Sequence, residues 1–239
     1  MFVCMFLVSC TTVPQGKSTD EFFITRYSST PTAGQQSGNG FDITLDFLDT
    51  NRANLKNTIY GVLYNGMTPE KYANQILNEG KQVGPGQAGA ASGSQTVPPE
   101  YIEAHKWTLN EPFLVISRNT YYINGGAHGL PLDNFYTINT GTGALIKLED
   151  IIQNDKASAL NDLIENKLQE YAQSVNNMVL WDDHKISEFY PATDGLHFYW
   201  NVYEITAYAY SPVEIVIGWD QLDSLLSPGG KIMAMAFKN

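Results

Sequence analysis

The chain predicts an α+β fold, antiparallel sheets with packed helices, in two closely associated halves. Short segments with apolar residues at alternate positions occur on both sides of a low-complexity stretch over 81–99. Other segments carry their apolar residues at the spacing of a helix, most clearly over 156–174. With 43% hydrophobic and only 16% charged residues in 239, the chain has enough apolar material for such a core. Disordered, fibrous and collagen-like classes are excluded.

Residues 1–10 are apolar and end in Leu7-Val8-Ser9-Cys10, which resembles a bacterial lipobox, where signal-peptide cleavage leaves the cysteine to carry lipid. An export signal needs a basic start, and no Lys or Arg precedes the apolar run, so the true start codon is expected upstream. Residues 11–20 are polar and contain Pro and Gly, as a tether behind a lipid anchor would be. The expectation is an exported lipoprotein of the cell envelope, periplasmic or at the cell surface, held to a membrane through Cys10. Cys4 and Cys10 are the only cysteines, so the folded part has neither disulfide nor thiolate cluster.

The first half, 21–80, begins with strands at 21–28 and 40–49. In the second, Phe41, Ile43, Leu45 and Phe47 face inward, while Asp42, Thr44 and Asp46 face water. Asn51 offers a cap to a helix with Leu55, Ile59, Val62 and Leu63 inward, and Thr68-Pro69-Glu70 opens another that Gly80 ends. Over 81–99 the chain turns to Gly, Ala, Ser, Gln and Pro and reads as a mobile loop. Its Gly84-Pro85-Gly86-Gln87-Ala88-Gly89 matches the dinucleotide fingerprint only formally, because it follows a helix instead of a strand. The second half, 100–239, starts with strands at 101–109, 112–119, 120–124 and 132–139. A hairpin turn at Thr140-Gly141-Thr142-Gly143 leads to a strand at 144–148. After the helix over 156–174 come strands at 196–200 and 213–218, a short helix at 219–226 and a closing strand at 231–237.

The net charge is −11, from 14 basic and 25 acidic residues, which leaves no counter-charge for phosphate and speaks against nucleic acid. A basic partner suits it better. No cofactor and no metal site are expected: His105, His128, His184 and His197 stand 23, 56 and 13 residues apart, and Asp182-Asp183-His184 reads as a solvated loop. There is no Gly-x-Ser-x-Gly elbow and no cysteine nucleophile, so an enzyme is not expected. Two stretches remain as ligand-binding candidates. In Tyr121-Tyr122-Ile123-Asn124-Gly125-Gly126-Ala127-His128-Gly129, the glycines allow a close backbone approach that holds one imidazole in place, and Tyr122, Gly126 and His128 are singled out. In 194–211 the aromatic density suits either a core or a stacking surface, with Tyr203, Glu204 and Tyr208 singled out.

Gly-Gly-Ala-His-Gly after a Tyr-rich strand, the Thr-Gly hairpin, Leu148-Glu149-Asp150-Ile151, Asp194-Gly195-Leu196-His197-Phe198-Tyr199 and Tyr203-Glu204-Ile205 resemble one bacterial domain. It is the extracytoplasmic domain of unknown function shared by the anti-sigma factor RsiV and the front part of the peptidoglycan deacetylase PdaC. The resemblance covers about 100–226. Ala207 and Ser211 stand where that family has Pro and Gly. It implies an α+β fold, and lysozyme binding as in RsiV or attachment to a catalytic domain as in PdaC. Neither a sigma-binding part nor deacetylase motifs are present in the sequence, so those activities are not implied. The expectation is a non-enzymatic envelope domain binding a protein or cell-wall ligand. A lysozyme-binding sensor or inhibitor is the first alternative, and a peptidoglycan hydrolase using His128 and Glu204 the second.

Overall fold

The computed structural model describes residues 9–12, 22–29, 42–82, 100–123, 128–175, 178–182 and 184–238. Most of the tether, the 83–99 loop and Asn124–Ala127, with the candidate Gly126, lie outside them. The strands are β1 (Ser9–Thr12), β2 (Phe22–Ser29), β3 (Asp42–Thr50), β4 (Glu100–Asn110), β5 (Phe113–Ile123), β6 (Leu130–Asn139), β7 (Leu145–Ile146), β8 (Glu188–Pro191), β9 (Gly195–Trp200) and β10 (Val213–Gly218). The helices are α1 (Ala53–Tyr64), α2 (Pro69–Gln82), α3 (Leu148–Ile151), α4 (Ala157–Ser174), α5 (Trp219–Leu222) and α6 (Pro228–Lys238). The fold is α+β. Strands β1 to β7 hydrogen-bond in chain order into one sheet, and β8, β9 and β10 form a second. The chain divides into two compact units, one running to Lys106 and including Arg118–Pro131, the other holding Trp107–Ser117 and Leu132 onward.

In the first unit β2 runs antiparallel to β1 and β3, with Cys10 opposite Tyr27. β3 pairs with β4 in parallel, Ile43 opposite Tyr101, which departs from the antiparallel expectation. The reason is the connection: α1 and α2 intervene and return the chain to the end from which it left. Ile43, Leu45 and Phe47 are buried as their alternation predicts, against Leu55, Ile59 and Leu63 of α1. Asp46 is not on a wet face. It is buried, and Arg26 grips it with Nε 2.5 Å from Oδ1 and Nη2 2.7 Å from Oδ2. The N-cap position of helix α1 is Arg52, which makes no side-chain capping bond, and not Asn51; the helix ends at Asn65 in the left-handed region (φ 52°). Helix α2 runs past Gly80 to Gln82.

In the second unit the hairpin turn is as expected. Asn139 Oδ1 accepts the N–H groups of Gly141 (3.0 Å) and Thr142 (2.9 Å), and Gly143 takes φ 74°. The strand after it is only Leu145–Ile146, because Leu148 already begins α3. β5 is one strand where two were expected. Leu160, Ile164, Leu168 and Ala172 of α4 recur every fourth residue and pack with Leu196, Phe198 and Trp200 of β9 and Val213, Ile215 and Ile217 of β10. The helix after β10 stops at Leu222. The expected closing strand at 231–237 is helix α6. Gly230, Met233, Ala234 and Phe237 are buried on one stripe, and a Cβ at Gly230 would strike the Ile151 carbonyl.

The free edge of β6 is covered by side chains. Asn201 accepts the Asp133 N–H at 2.7 Å and donates to the Asp133 carbonyl at 2.9 Å, as a neighbouring peptide would. Glu188 accepts the Phe135 N–H at 2.9 Å. Thr137 and Ile138 then pair with β7. An edge so occupied cannot recruit a foreign strand. Among the described residues no helix is long and apolar enough to cross a membrane.

Candidate functional site

The aromatic segment flagged in the sequence separates by strand alternation into core and surface. Leu196, Phe198 and Trp200 are buried on one side of β9; on the other side Tyr199 is buried as well, and His197 is half-buried. Beyond Trp200 the chain makes a tight turn. The Glu204 N–H donates to the Asn201 carbonyl at 3.2 Å, and the Glu204 carboxylate takes the Asn201 N–H at 2.7 Å and the Ser187 hydroxyl at 2.9 Å. Tyr203, at the tip, is held at φ 65°. That region costs a residue with a Cβ about 1–2 kcal/mol and is rarely given to a bulky side chain. The result is display: Tyr203 is 47% exposed, and its ring lies 5.5 Å from that of Tyr208, tilted by 43°.

Two of the three sequence candidates here, Tyr203 and Tyr208, are thus brought together on one loop, and Glu204 is the clasp that shapes it. Glu204 itself is exposed, with the Ser187 hydroxyl and the Asn201 N–H as its partners. Sequence reasoning missed Trp181. The Trp181 N–H donates to the Ile205 carbonyl at 2.9 Å, and the Thr206 hydroxyl donates to the Val179 carbonyl at 2.8 Å, so Val179–Trp181 lies along the loop. Trp181 is 44% exposed there. No spacing rule links position 181 to 205.

A second arrangement lies across β8, β9 and β10. Phe135 stacks on Tyr190 at 4.3 Å, and Tyr190 on His197 at 4.7 Å. Tyr190 and Tyr199 donate short hydrogen bonds to Glu214 and Asp133. His197 sits between two carboxylates, Nδ1 at 2.8 Å from Glu214 and Nε2 at 2.8 Å from Asp194. Burial works against its charged form, but these two partners outweigh it and raise its pKa. The His197 hydrogen bond in turn lowers Glu214 and Asp194. Glu188 moves the other way. Burial pushes its carboxyl up despite its bonds to Phe135 and Asn134, and the charges of Glu204 and Asp133 add to the push.

Residues 149–220 match the family model described as Protein of unknown function, DUF3298. The DUF3298 segment contains Trp181, the Tyr203 loop and all of β8, β9 and β10. Tyr122 and His128 precede it. Among solved structures, a DUF3298 family member from Bacteroides fragilis is similar over 92% of this chain and 98% of its own, with 24% identity and a TM-score of 0.74. A DUF3298 family protein from Pseudomonas aeruginosa is similar over 93% and 95%, with 14% identity and a TM-score of 0.66. At these identities the likeness establishes the shared fold. None of the curated proteins matches.

Tyr122 and His128 belong to the first unit, and Tyr203, Glu204 and Tyr208 to the second. Tyr122 is half-buried on β5. His128 is exposed, with Nδ1 3.1 Å from the carbonyl of Gly129. Gly129 is a glycine by close approach: a Cβ there would collide with the Tyr121 ring.

The first unit also holds a buried ionic network that the sequence did not reveal. Glu103, its side chain 1% exposed, receives Arg118 Nε at 3.0 Å and Nη2 at 3.1 Å, with the hydroxyls of Tyr101 (2.7 Å) and Tyr72 (3.0 Å). His105 sets Nε2 3.0 Å from Glu103 and Nδ1 against the Asp46 carbonyl. Burial raises the Glu103 carboxyl, but His105 and Arg118 more than offset it and hold its pKa down at about 2. This is a strut between β4, β5 and α2. Among the described residues, no three His, Cys, Asp or Glu side chains gather to hold a metal ion.

Proposed function

We propose that the chain is a lipid-anchored binding domain of the cell envelope, of the RsiV and PdaC type, without catalysis of its own. The observation that carries this reading is Tyr203, a bulky residue held at φ 65° by a clasped turn that leaves its ring exposed beside Tyr208. Strain of this kind persists where the surroundings over-determine it, and it concentrates at ligand-binding positions. The lipobox order ending at Cys10 and the polar residues after it supply the anchor. The recognised partner is a protein or a cell-wall ligand.

The face across β8 to β10 favours a second reading, a lysozyme-binding sensor or inhibitor. It carries Asp133, Glu188, Asp194 and Glu214, with the His197 ring hydrogen-bonded between two of them. That charge suits a basic protein. Two measurements test the proposal. Cys10→Ala should move the protein from the membrane fraction to the soluble one; unchanged fractionation and migration would remove the anchor. Retention on purified cell-wall sacculi, and co-sedimentation with lysozyme, should fall in Tyr203→Gly; retention of neither by the parent would end the binding reading.

A further inference from the structure

The exposed apolar surface around the Tyr203 turn is rich in rings. Trp181, Tyr203 and Tyr210 are 44%, 47% and 40% exposed, and Tyr208 packs beside Tyr203. Of the loop's larger aliphatic residues, Val202 and Ile205 are buried, while the small Ala207 and Ala209 and the neighbouring Val179 are exposed. Hydrogen-bonding groups rim the rings: the Tyr hydroxyls, Ser187, and the carboxylates of Glu204 and Asp182. We infer that Trp181, Tyr203, Tyr208 and Tyr210 form a glycan-binding platform that takes uncharged, N-acetylated sugars.

This rests on the reading of the loop as the recognition element and names its ligand class. Ring faces complement the C–H faces of pyranose sugars, and the rim groups complement their hydroxyls and amides. The charge of the rim decides against the alternatives. Among the described residues of 179–211, the acids Asp182, Glu188, Asp194 and Glu204 outnumber the one lysine, Lys185, and there is no arginine. That balance disfavours anionic lipid surfaces and polyanions and leaves an uncharged glycan unaffected. The turn also suits a ligand held by a few stacking contacts. Two bonds between Glu204 and Asn201 close it, so Tyr203 is ordered before the ligand arrives. A glycine at 203 would hold φ 65° without strain, and the chain carries a tyrosine there.

The test uses the full chain titrated with the N-acetylglucosamine hexamer, followed by tryptophan fluorescence and calorimetry. The parent should bind, and Trp181→Ala and Tyr203→Gly should each weaken binding by about tenfold or more. Tyr203→Phe should retain it. Tyr203→Gly keeps the test independent of folding, because relief of the left-handed strain should leave the melting temperature equal or higher. A parent that ignores the hexamer, or ring variants that bind it within about twofold of the parent, would overturn the platform. So would ring variants that keep the hexamer but lose lysozyme or phosphatidylcholine vesicles, which would assign the rings to a protein or a membrane. If Tyr203→Gly loses retention on sacculi while the parent does not bind the hexamer, only the ligand class fails. If retention on sacculi ignores Tyr203, the loop itself is not the recognition element.

Discussion

Replacing Arg118 by Met removes the forked donor from Glu103 while keeping the apolar stem. The carboxylate is left with its phenol donors and His105 in a site where its side chain is 1% exposed. Losing one partner of a buried ion pair costs about 3–5 kcal/mol. The pKa gives an independent figure. A carboxyl that titrates at 4.5 when unfolded and at about 2 when folded contributes on the order of 3 kcal/mol at neutral pH. Because the folded value is the lower one, this contribution is present above 4.5 and is lost as pH falls from there towards 2. In Arg118→Met the balance shifts towards burial, so the carboxyl should titrate higher and the variant should suffer less from acid. The gap between parent and variant should be about 3 kcal/mol or more at pH 7 and shrink markedly by pH 3. Urea unfolding at both pH values, read by hydrogen exchange in peptides from β3 and β4, measures it within the unit concerned. Adding Glu103→Gln to Arg118→Met should recover part of the loss. A variant within about 1 kcal/mol of the parent at pH 7, or a gap that ignores pH, would refute the argument.

Three further outcomes follow from the geometry. His197 should show an NMR titration midpoint above that of an ordinary histidine, falling in Glu214→Gln; since its folded pKa is raised, its contribution is complete below 6.5 and disappears as pH rises through the folded midpoint. Gly129→Val should lower the melting temperature through collision with Tyr121, by about 1–3 kcal/mol, whereas His128→Ala should cost well under about 1 kcal/mol because that ring is exposed. Asn201→Ala should cost about 1–3 kcal/mol by leaving the Asp133 backbone groups without their partner, and the opened β6 edge should raise self-association in analytical ultracentrifugation.

Much of the architecture was legible because one period dominated each segment. The Leu160–Ala172 stripe cannot be read as a strand, nor the Ile43–Phe47 alternation as a helix. Ile232 to Phe237 is different: six consecutive apolar residues fit both periods. Gly230 lets the helix that forms there approach the Ile151 carbonyl. Tyr203 and Tyr208 were legible as candidates because aromatic density is a local property. Trp181, Asp133 and Glu188 were not, since what places them is a set of main-chain and side-chain bonds between distant segments. Glu103 and Arg118 escaped notice for a related reason: a charged residue in a strand is expected to face water, and only tertiary packing turns this pair inward.

Asn201 shows how one residue can tie the fold to the display of the loop. Its side chain matches the Asp133 peptide and so fixes the end of β9 against β6. Its main chain does something else: the N–H is taken by Glu204 and the carbonyl accepts the Glu204 N–H, closing the turn that forces Tyr203 to φ 65°. A buried amide with both ends matched has one low-energy orientation, so the start of the turn is set by the sheet and not by the loop. The strain at Tyr203 is therefore supported from β6, through a residue that need not touch any ligand. This separates two roles that binding measurements alone would merge. Asn201→Ala should weaken binding by loosening the turn and should also lower stability, whereas Tyr203→Gly should weaken binding and leave stability intact or higher.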